Sequence, residues 1–169
     1  MSSTTLTMAM GDALAVCLMR KRDFKKEDFA SFHPGGSLGK QLFVKVDDLL
    51  RKENLPVVSR ETKLKDAILV MSEGRLGSVI ITDKDDKVIA LLSDGDLRRA
   101  LMNENFSMDC KVDEIATMNP KRLKNKELLA SDALQVIEDY RIQLLIVTDE
   151  NDKLIGVLHI HDLIEAGIK

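Results

Sequence analysis

Residues 79–97 read VIITDKDDKVIALLSDGDL, and residues 145–163 read LIVTDENDKLIGVLHIHDL, so the chain carries a second version of this stretch 66 positions later. Each version contains an apolar run, a polar turn, a second apolar run and then the start of a helix. Two β-branched runs around a turn rich in Asp, Asn and Lys are typical of two strands joined by a turn. Because the runs are nearly continuous in apolar residues, we expect both faces of the strands to be covered.

The repetition extends outward from this stretch at the same offset. VDDL at 46–49 matches VDEI at 112–115, and KDAI at 65–68 matches SDAL at 131–134. Each repeat is predicted to be a βαββα unit, which is too small to bury much core by itself. We therefore predict an α+β fold in which two repeats pack about a pseudo-two-fold axis and share one core. The predicted boundaries are a helical segment at 1–45, repeat one at 46–105 and repeat two at 106–169.

The composition narrows the function classes. A net charge of −3 argues against a nucleic-acid-binding protein, which would carry a basic stripe. No apolar run approaches the roughly 20 residues of a membrane helix, so no membrane partner is expected. The N-terminus lacks a basic region before an apolar core and does not read as a secretory signal. Cys17 and Cys110 have no CxxC spacing and are predicted to be free thiols in a reducing cytoplasm.

The N-terminal segment combines an unusually apolar helix with a glycine-rich motif. Residues 6–19 are predicted to form a helix that is apolar almost all round, and such a helix is expected to be buried on most sides. The rest of the chain offers too little partner surface, so we predict packing against another chain, giving a dimer. A shorter helix is predicted at 25–32. HPGGSLG at 33–39 follows, and its glycines permit a tight turn or close approach by a ligand; a plain linker turn is the equal alternative.

The junction between the second strand and the next helix in repeat one is a candidate nucleotide site. Ser93 places a hydroxyl at the end of the strand, and Asp96 places a carboxylate in the first turn of the helix. Free N–H groups and a hydroxyl at a helix start receive phosphate, while a carboxylate accepts hydrogen bonds from both ribose hydroxyls. The alternative is that Ser93 and Asp96 only cap the helix, and spacing alone favours it slightly. Arg98 and Arg99 could meet a phosphate, although exposed helix charges are the simpler interpretation.

The corresponding residues of repeat two are His159 and Asp162, with His161 beside them. His159 replaces the hydroxyl, so this half of a nucleotide site differs from the first, and the two histidines could equally be structural. The three histidines of the chain do not match a zinc-binding spacing. The Asp-rich turns at 83–86 and 149–152 lack the Gly and distal Glu of a calcium loop and are predicted to be strand-joining turns. No metal and no cofactor is predicted.

These residues resemble a known family combination. The two repeats, with Ser93-x-x-Asp96 and its counterpart ending at Asp162, resemble a CBS-domain pair, also called a Bateman module. The segment through HPGGSLG resembles the end of a sugar isomerase (SIS) domain. Together with SDGDLRR at 93–99 and HIHDL at 159–163, the whole chain resembles the C-terminal part of arabinose-5-phosphate isomerases of the KpsF/GutQ family. The fold implied is a tandem CBS pair preceded by a helical SIS remnant.

The resemblance implies a role in interconverting D-ribulose 5-phosphate and D-arabinose 5-phosphate, for the Kdo sugar of lipopolysaccharide or capsule. His33 matches a family active-site histidine, but the other catalytic groups of the SIS domain have no counterpart here. We therefore expect a regulatory module, inactive alone, that binds AMP, ATP or a nucleotide sugar such as CMP-Kdo. A homodimer is expected, within a tetrameric full-length enzyme. The alternative is a stand-alone CBS pair that serves as a sensor or interaction protein.

Overall fold

The computed structural model describes residues 2–32, 35–104 and 106–168. Its helices and strands follow the predicted order of two βαββα units behind a helical segment. In chain order they are α1 (Ser2–Lys21), α2 (Lys26–Phe32), α3 (Ser37–Phe43), α4 (Val46–Leu49), β1 (Val57–Ser59), α5 (Leu64–Gly74), β2 (Ser78–Thr82), β3 (Val88–Ser93), α6 (Asp94–Leu101), a 3₁₀ turn (Val112–Glu114), β4 (Thr117–Met118), β5 (Arg122–Leu123), α7 (Ala130–Tyr140), β6 (Leu144–Thr148), β7 (Leu154–His159) and α8 (Ile160–Glu165).

The strands form two small sheets, one for each repeat. The first has the order β1-β2-β3-β4 and the second the order β5-β6-β7. In each sheet the first strand runs parallel to the second, and the second and third strands are antiparallel. The register of the antiparallel pair shifts between Ile81 and Thr82, and again between Val147 and Thr148. The predicted pair of strands around each polar turn is therefore confirmed. Both copies also have the same register shift, which was not predicted.

The polar turns owe their repeated aspartates to backbone hydrogen bonding. Oδ1 of Asp83 accepts from the N–H groups of Asp85 and Lys87, both at 2.9 Å. Asp149 accepts in the same way from residues 151 and 153, both at 2.8 Å. A side chain that accepts bonds from its own turn stabilises the tight reversal, which is the predicted role of this motif.

The two repeats share a core. Every residue of β2 and of β6 is buried, as expected for strands covered on both faces. Between the repeats lies an apolar cluster to which both contribute, made of Leu76, Ile80, Val88, Leu144, Ile146 and Val157. Because neither repeat can bury this surface alone, the two are expected to fold as one unit.

The repeats also exchange their leading segments. Val46, at the start of repeat one, is buried in the core of repeat two, and its N–H donates to Leu128 O at 2.9 Å. Val112, at the start of repeat two, is buried in the core of repeat one and donates to Thr62 O at 2.9 Å. The donors are 66 residues apart and so are the acceptors. The pseudo-two-fold relation inferred from the sequence is therefore visible in individual hydrogen bonds.

Helix α1 is present as predicted, but its apolar side chains are exposed within the single chain. Leu6, Met10 and Leu14 are 64%, 67% and 63% exposed. The described residues thus contain no partner for this surface, which agrees with the expectation that the chain itself would not cover it. Among residues 2–32, 35–104 and 106–168, none of the helices combines the length and the apolar content that crossing a bilayer requires.

Candidate functional site

A cleft of about 460 Å³ opens between the repeats where β3 ends and α6 begins. Repeat one supplies the β3–α6 junction and the start of β2, and repeat two supplies the loop that leads into β6. We call the part of this cleft around Ser93, Asp96 and Thr117 the first half-site. The lining residues are Gly77, Ser78, Leu91, Ser93, Asp94, Gly95, Asp96, Arg98, Arg99, Thr117, Pro120, Lys121, Arg141, Ile142, Gln143 and Leu144.

Ser93 and Asp96 lie together in the cleft and cap α6. Ser93 is the N-cap residue, and its Oγ accepts from the N–H of Asp96 at 3.2 Å. Oδ2 of Asp96 in turn accepts from Ser93 N at 2.9 Å and from Ser93 Oγ at 2.6 Å. This reciprocal arrangement is a capping box. The capping alternative that the sequence left open is therefore realised, at residues that also line the cleft.

The second oxygen of Asp96 is occupied as well. Oδ1 accepts from Thr117 Oγ1 at 3.0 Å and from Arg99 Nη2. Burial disfavours the charged form of Asp96, but the hydrogen bonds from Ser93, Thr117 and Arg99 outweigh it and hold the pKa of this carboxyl below its usual value. Asp96 is thus a buried, ionised acceptor, and of its side-chain partners only Arg99, 72% exposed, reaches it from solvent.

Cations surround the rim of the first half-site. Arg98, Arg99, Lys121 and Arg141 line the cleft, against the carboxylates of Asp94 and Asp96. Arg99 is paired with Asp96, and Lys121 Nζ lies 4.0 Å from the centre of the Tyr140 ring. Four positive side chains against two negative ones make this cleft favourable for a ligand with more than one negative charge.

The equivalent junction in repeat two, which we call the second half-site, has different contacts. It comprises His159, Asp162 and Arg51. Arg51 holds both oxygens of the Asp162 carboxylate, with Nε donating to Oδ2 at 2.8 Å and Nη2 to Oδ1. The positions that match Arg98 and Arg99 are Ile164 and Glu165, so the second half-site lacks that part of the cationic rim.

His159 takes over the capping role of the serine that it replaces. It is the N-cap residue of α8, is 8% exposed, and its Nδ1 accepts from the N–H of His161 at 3.2 Å. The two imidazole rings stack with centroids 5.1 Å apart. Burial, reinforced by the nearby His161, lowers the pKa of His159, so the neutral ring is favoured. Among the described residues, no group of three or more His, Cys, Asp or Glu side chains could hold a metal ion.

The structure adds two residues that the sequence reading missed, Thr117 and Arg51. They contact Asp96 and Asp162 respectively, and they are themselves 66 positions apart. The repeat offset could have identified them from the sequence. Arg51 lies two positions after VDDL at 46–49, and Thr117 lies two positions after the matching VDEI at 112–115. His33, the predicted family active-site position, lies outside the described residues.

Comparison with known proteins identifies the repeats. The family model described as "CBS domain" matches residues 46–103 and again residues 113–169. The chain belongs to the CBS-domain family. The predicted tandem CBS pair is therefore confirmed. Whether α1–α3 derive from a SIS domain stays a prediction.

Curated relatives of this CBS pair include longer enzymes. An arabinose 5-phosphate isomerase KdsD of Pseudomonas aeruginosa is 41% identical over 99% of the chain, and that of Escherichia coli K12 is 39% identical over 99%. An uncharacterized protein of Helicobacter pylori J99 is 51% identical over 99%. The match covers 51% of each relative, so the chain spans about half the length of the curated relatives it matches. In the isomerases the match lies in the C-terminal region, as the sequence resemblance predicted.

Solved structures share the CBS-pair fold. CBSX2 in complex with AMP superposes with a TM-score of 0.65 and 23% identity, over 73% of this chain and 95% of that one. The CBS domain protein PAE2072 of Pyrobaculum aerophilum, complexed with AMP, gives a TM-score of 0.63 and 21% identity, over 71% of this chain and 90% of that one. At these identities the likeness concerns the fold.

Proposed function

We propose that this CBS pair is the regulatory nucleotide-binding module of an arabinose-5-phosphate isomerase. The observation that carries the proposal is the inter-repeat cleft, in which a buried, ionised Asp96 lies beside a hydroxyl and under a rim of four cations. The identity to KdsD isomerases supports the parent enzyme, and the AMP complexes of two structural neighbours support the ligand class.

The ligand binds with its ribose on Asp96 and its phosphate on the rim. A carboxylate has about four lone-pair sites, and Asp96 already accepts from four donors. Arg99 is the exposed one of these, so one ribose hydroxyl takes its place on Oδ1 of Asp96 and releases the guanidinium toward the phosphate. The N–H of Gly95, in the first turn of α6 and in the lining of the cleft, supplies a further donor. The exchange keeps all four acceptor sites of Asp96 filled, which limits the cost of binding.

The charge of the rim favours a ligand with at least two negative charges. AMP, ATP and the CMP-Kdo class all satisfy this condition, whereas adenosine supplies the base and ribose without the phosphate. His159 and Asp162 are the corresponding contacts of the second half-site. The ligand binds at the boundary between the repeats, where it contacts both the β3–α6 junction of repeat one and the loop before β6 of repeat two. By joining these two segments it fixes the arrangement of the repeats, and this is how it would act on the parent enzyme.

Calorimetric titration of the chain with AMP, ATP, CMP-Kdo and adenosine tests the proposal. We expect at least one phosphate-bearing ligand to bind, adenosine to bind at least about tenfold more weakly, and Asp96→Ala to lose about tenfold or more in affinity. Asp85→Ala is the matched control, since Asp85 lies exposed in the turn at the far end of β2 and β3. Equal binding by Asp96→Ala and the parent chain would refute the assigned ribose contact.

The parent reaction interconverts D-ribulose 5-phosphate and D-arabinose 5-phosphate, with His33 belonging to its active site. We propose that the 169 residues alone do not catalyse it, because an aldose–ketose isomerisation needs positioned acid and base groups beyond a single histidine. A coupled assay on the purified chain should therefore show no turnover. Measurable turnover would overturn this part of the proposal.

We also propose a homodimer formed through α1, within a tetrameric full-length enzyme. Leu6, Met10 and Leu14 recur at helical spacing, and all are more than 60% exposed in the single chain. Sedimentation should report a dimer for the parent chain and a monomer for a Met10→Glu, Leu14→Glu double variant. A monomeric parent chain at micromolar concentration would exclude this interface.

A further inference from the structure

Helix α7 reaches from the nucleotide cleft to the N-terminal segment of the chain. Its C-terminal end lies at the cleft, because Arg141, the C-cap residue, is part of the lining. Lys121 also lines the cleft, and its Nζ lies 4.0 Å from the centre of the ring of Tyr140, the last residue of α7. A phosphate bound by Lys121 and Arg141 therefore acts on this end of the helix.

The other end of α7 holds the segment that continues from the HPGGSLG motif. Ser131 Oγ donates to Gln41 O at 3.0 Å, and Ala130 N donates to Val44 O at 2.8 Å. Helix α3 begins at Ser37, within the motif, and is attached to the first turn of α7 by these two hydrogen bonds. The cleft and the motif are thus joined by one helix of 11 residues, which is about 16 Å long.

The body of α7 is packed into the core of repeat two. Ala133 and Ile137 are fully buried, and Leu134 is nearly so. Protein interiors are close-packed and transmit strain, because they have little empty space to absorb a displacement. A shift imposed on one end of α7 is therefore carried to its other end.

The equivalent helix of repeat one holds a different segment. Leu64 N, at the start of α5, donates to Cys110 O at 2.9 Å, and these two residues lie 66 positions from Ala130 and Val44. The first helix of each repeat thus anchors the segment that precedes the other repeat. Because the N-terminal segment precedes repeat one, it is attached to α7, while α5 receives the linker between the repeats.

We propose that α7 couples the nucleotide cleft to the segment that carries the HPGGSLG motif, so that bound nucleotide strengthens the docking of α3. This inference rests on the proposed nucleotide-binding function and adds to it the element through which occupancy acts. His33, the proposed active-site residue, lies four positions before Ser37 in the sequence. An effect on α3 is therefore an effect on the motif itself.

Hydrogen exchange of the amides at 37–45, with and without saturating AMP, tests the inference; ATP is the probe if AMP does not bind. Exchange at 37–45 in the parent chain should slow by about fivefold or more, as for typical coupled sites. A Ser131→Ala, Lys45→Met double variant lacks the hydrogen bond to Gln41 O and the ion pair with Glu127. In this variant the slowing should fall by about half or more.

Coupling between two sites is reciprocal, which gives a second measurement on the same variant. The Ser131→Ala, Lys45→Met chain should bind the nucleotide more weakly by up to about fivefold in calorimetry. Both substituted positions lie outside the lining of the cleft, so a direct loss of ligand contacts does not account for this change.

The matched control makes the corresponding change at the start of α5. A Lys65→Ala, Lys111→Met chain loses the side chains that pair with Asp109 and Glu61 next to the linker between the repeats. It should keep both the slowing at 37–45 and the nucleotide affinity of the parent chain, because α5 does not hold the N-terminal segment.

The outcomes separate the coupling from the proposed function. Nucleotide that binds without slowing exchange at 37–45, or that slows it equally in the parent and in the Ser131→Ala, Lys45→Met chain, overturns the coupling and leaves the nucleotide function standing. An equal loss of slowing in the control chain also overturns the coupling, since it would reflect general stability. Absence of binding by both AMP and ATP overturns the adenine-nucleotide ligand and the coupling together.

Discussion

The first and second half-sites have the same backbone arrangement and differ in the side chains around an aspartate that both repeats share. Asp96 and Asp162 both follow an N-cap residue by three positions, and both begin a helix after a buried strand. Around Asp96 lie a serine, a threonine and a cationic rim, whereas around Asp162 lie two stacked histidines and a bidentate arginine. The duplication has thus kept what stabilises the fold and changed what a ligand would meet.

The largest expected effect tests whether the two repeats are equal partners in one core. Ile80→Ala and Ile146→Ala each remove a fully buried side chain from the cluster between the repeats, and each should lower the free energy of unfolding by about 2–5 kcal/mol. Denaturant unfolding should stay a single transition in both variants. Leu69→Ala, at an exposed position of α5, is the control and should change stability by less than about 0.5 kcal/mol. Two separate transitions would mean that the repeats unfold independently.

The next comparison concerns the two aspartates themselves. Asp96→Ala leaves Ser93 and Thr117 without their buried acceptor and should cost about 2–3 kcal/mol. Asp162→Ala leaves Arg51, which is 45% exposed and can turn to water, so the cost should be below about 1 kcal/mol. Chemical denaturation of the two variants side by side measures the difference. Equal losses would indicate that the Arg51 pair is as much a structural element as the capping box.

A smaller effect is expected where the second repeat makes room for Arg51. Gly156 on β7 corresponds to Ala90 in repeat one, and Leu50, which lies against Gly156, corresponds to Ala116. The smaller residue on the strand is thus matched by a larger residue on the segment that packs against it. Gly156→Ala should destabilise the chain by about 1–3 kcal/mol and loosen Arg51 from Asp162.

Thermal denaturation checks the effect of Gly156→Ala. Gly11→Ala is the matched control, because nothing lies within 4 Å of a Cβ at Gly11, and this change within α1 should be neutral or stabilising by up to about 1 kcal/mol. A Gly156→Ala chain as stable as the parent would show that the Arg51 segment has freedom to move off β7.

The smallest effect is a pH dependence near neutrality, which only the second half-site should have because it contains a buried histidine where the first has Ser93. The folded state lowers the pKa of His159, while an unfolded histidine titrates near about 6.5. The unfolded state therefore binds more protons as the pH falls through that value, and stability is lost as the pH falls from about 7.5 through about 6.5. His159→Ser, which installs the residue of the first half-site, should lose less stability over this interval. An identical pH profile for both chains would assign the dependence to other groups.

Most of the fold could be predicted from the sequence because its signals are local and occur twice. Each repeat supports the interpretation of the other, because both contain the apolar runs, the Asp-rich turn and the helix start in the same order. The structure places strands β2, β3, β6 and β7 where the runs predict them. The exchange of Val46 and Val112 between the cores was not predicted, because the apolar pattern of a segment says that it is buried and does not say against which repeat.

The candidate site was predictable in part. Ser93 and Asp96 are three residues apart, so their mutual hydrogen bonds follow from helix-start geometry alone. The pair of Arg51 with Asp162 spans 111 residues and depends on how the leading segment of one repeat lies along the last strand of the other. The same is true of Lys121 and Arg141, which reach the cleft from repeat two.

By itself the sequence determined the duplication, the strand and helix order and the position of each aspartate, because these rest on short-range hydrogen bonding and on an apolar pattern written twice. Only the tertiary structure decided that one aspartate lies in a cationic cleft while the other is held by Arg51. The physical reason is that these contacts join segments that are distant in sequence. Packing at the interface between the repeats decides which of these segments meet. At Gly156, for example, the backbone of Arg51 approaches so closely that a larger residue would keep it away.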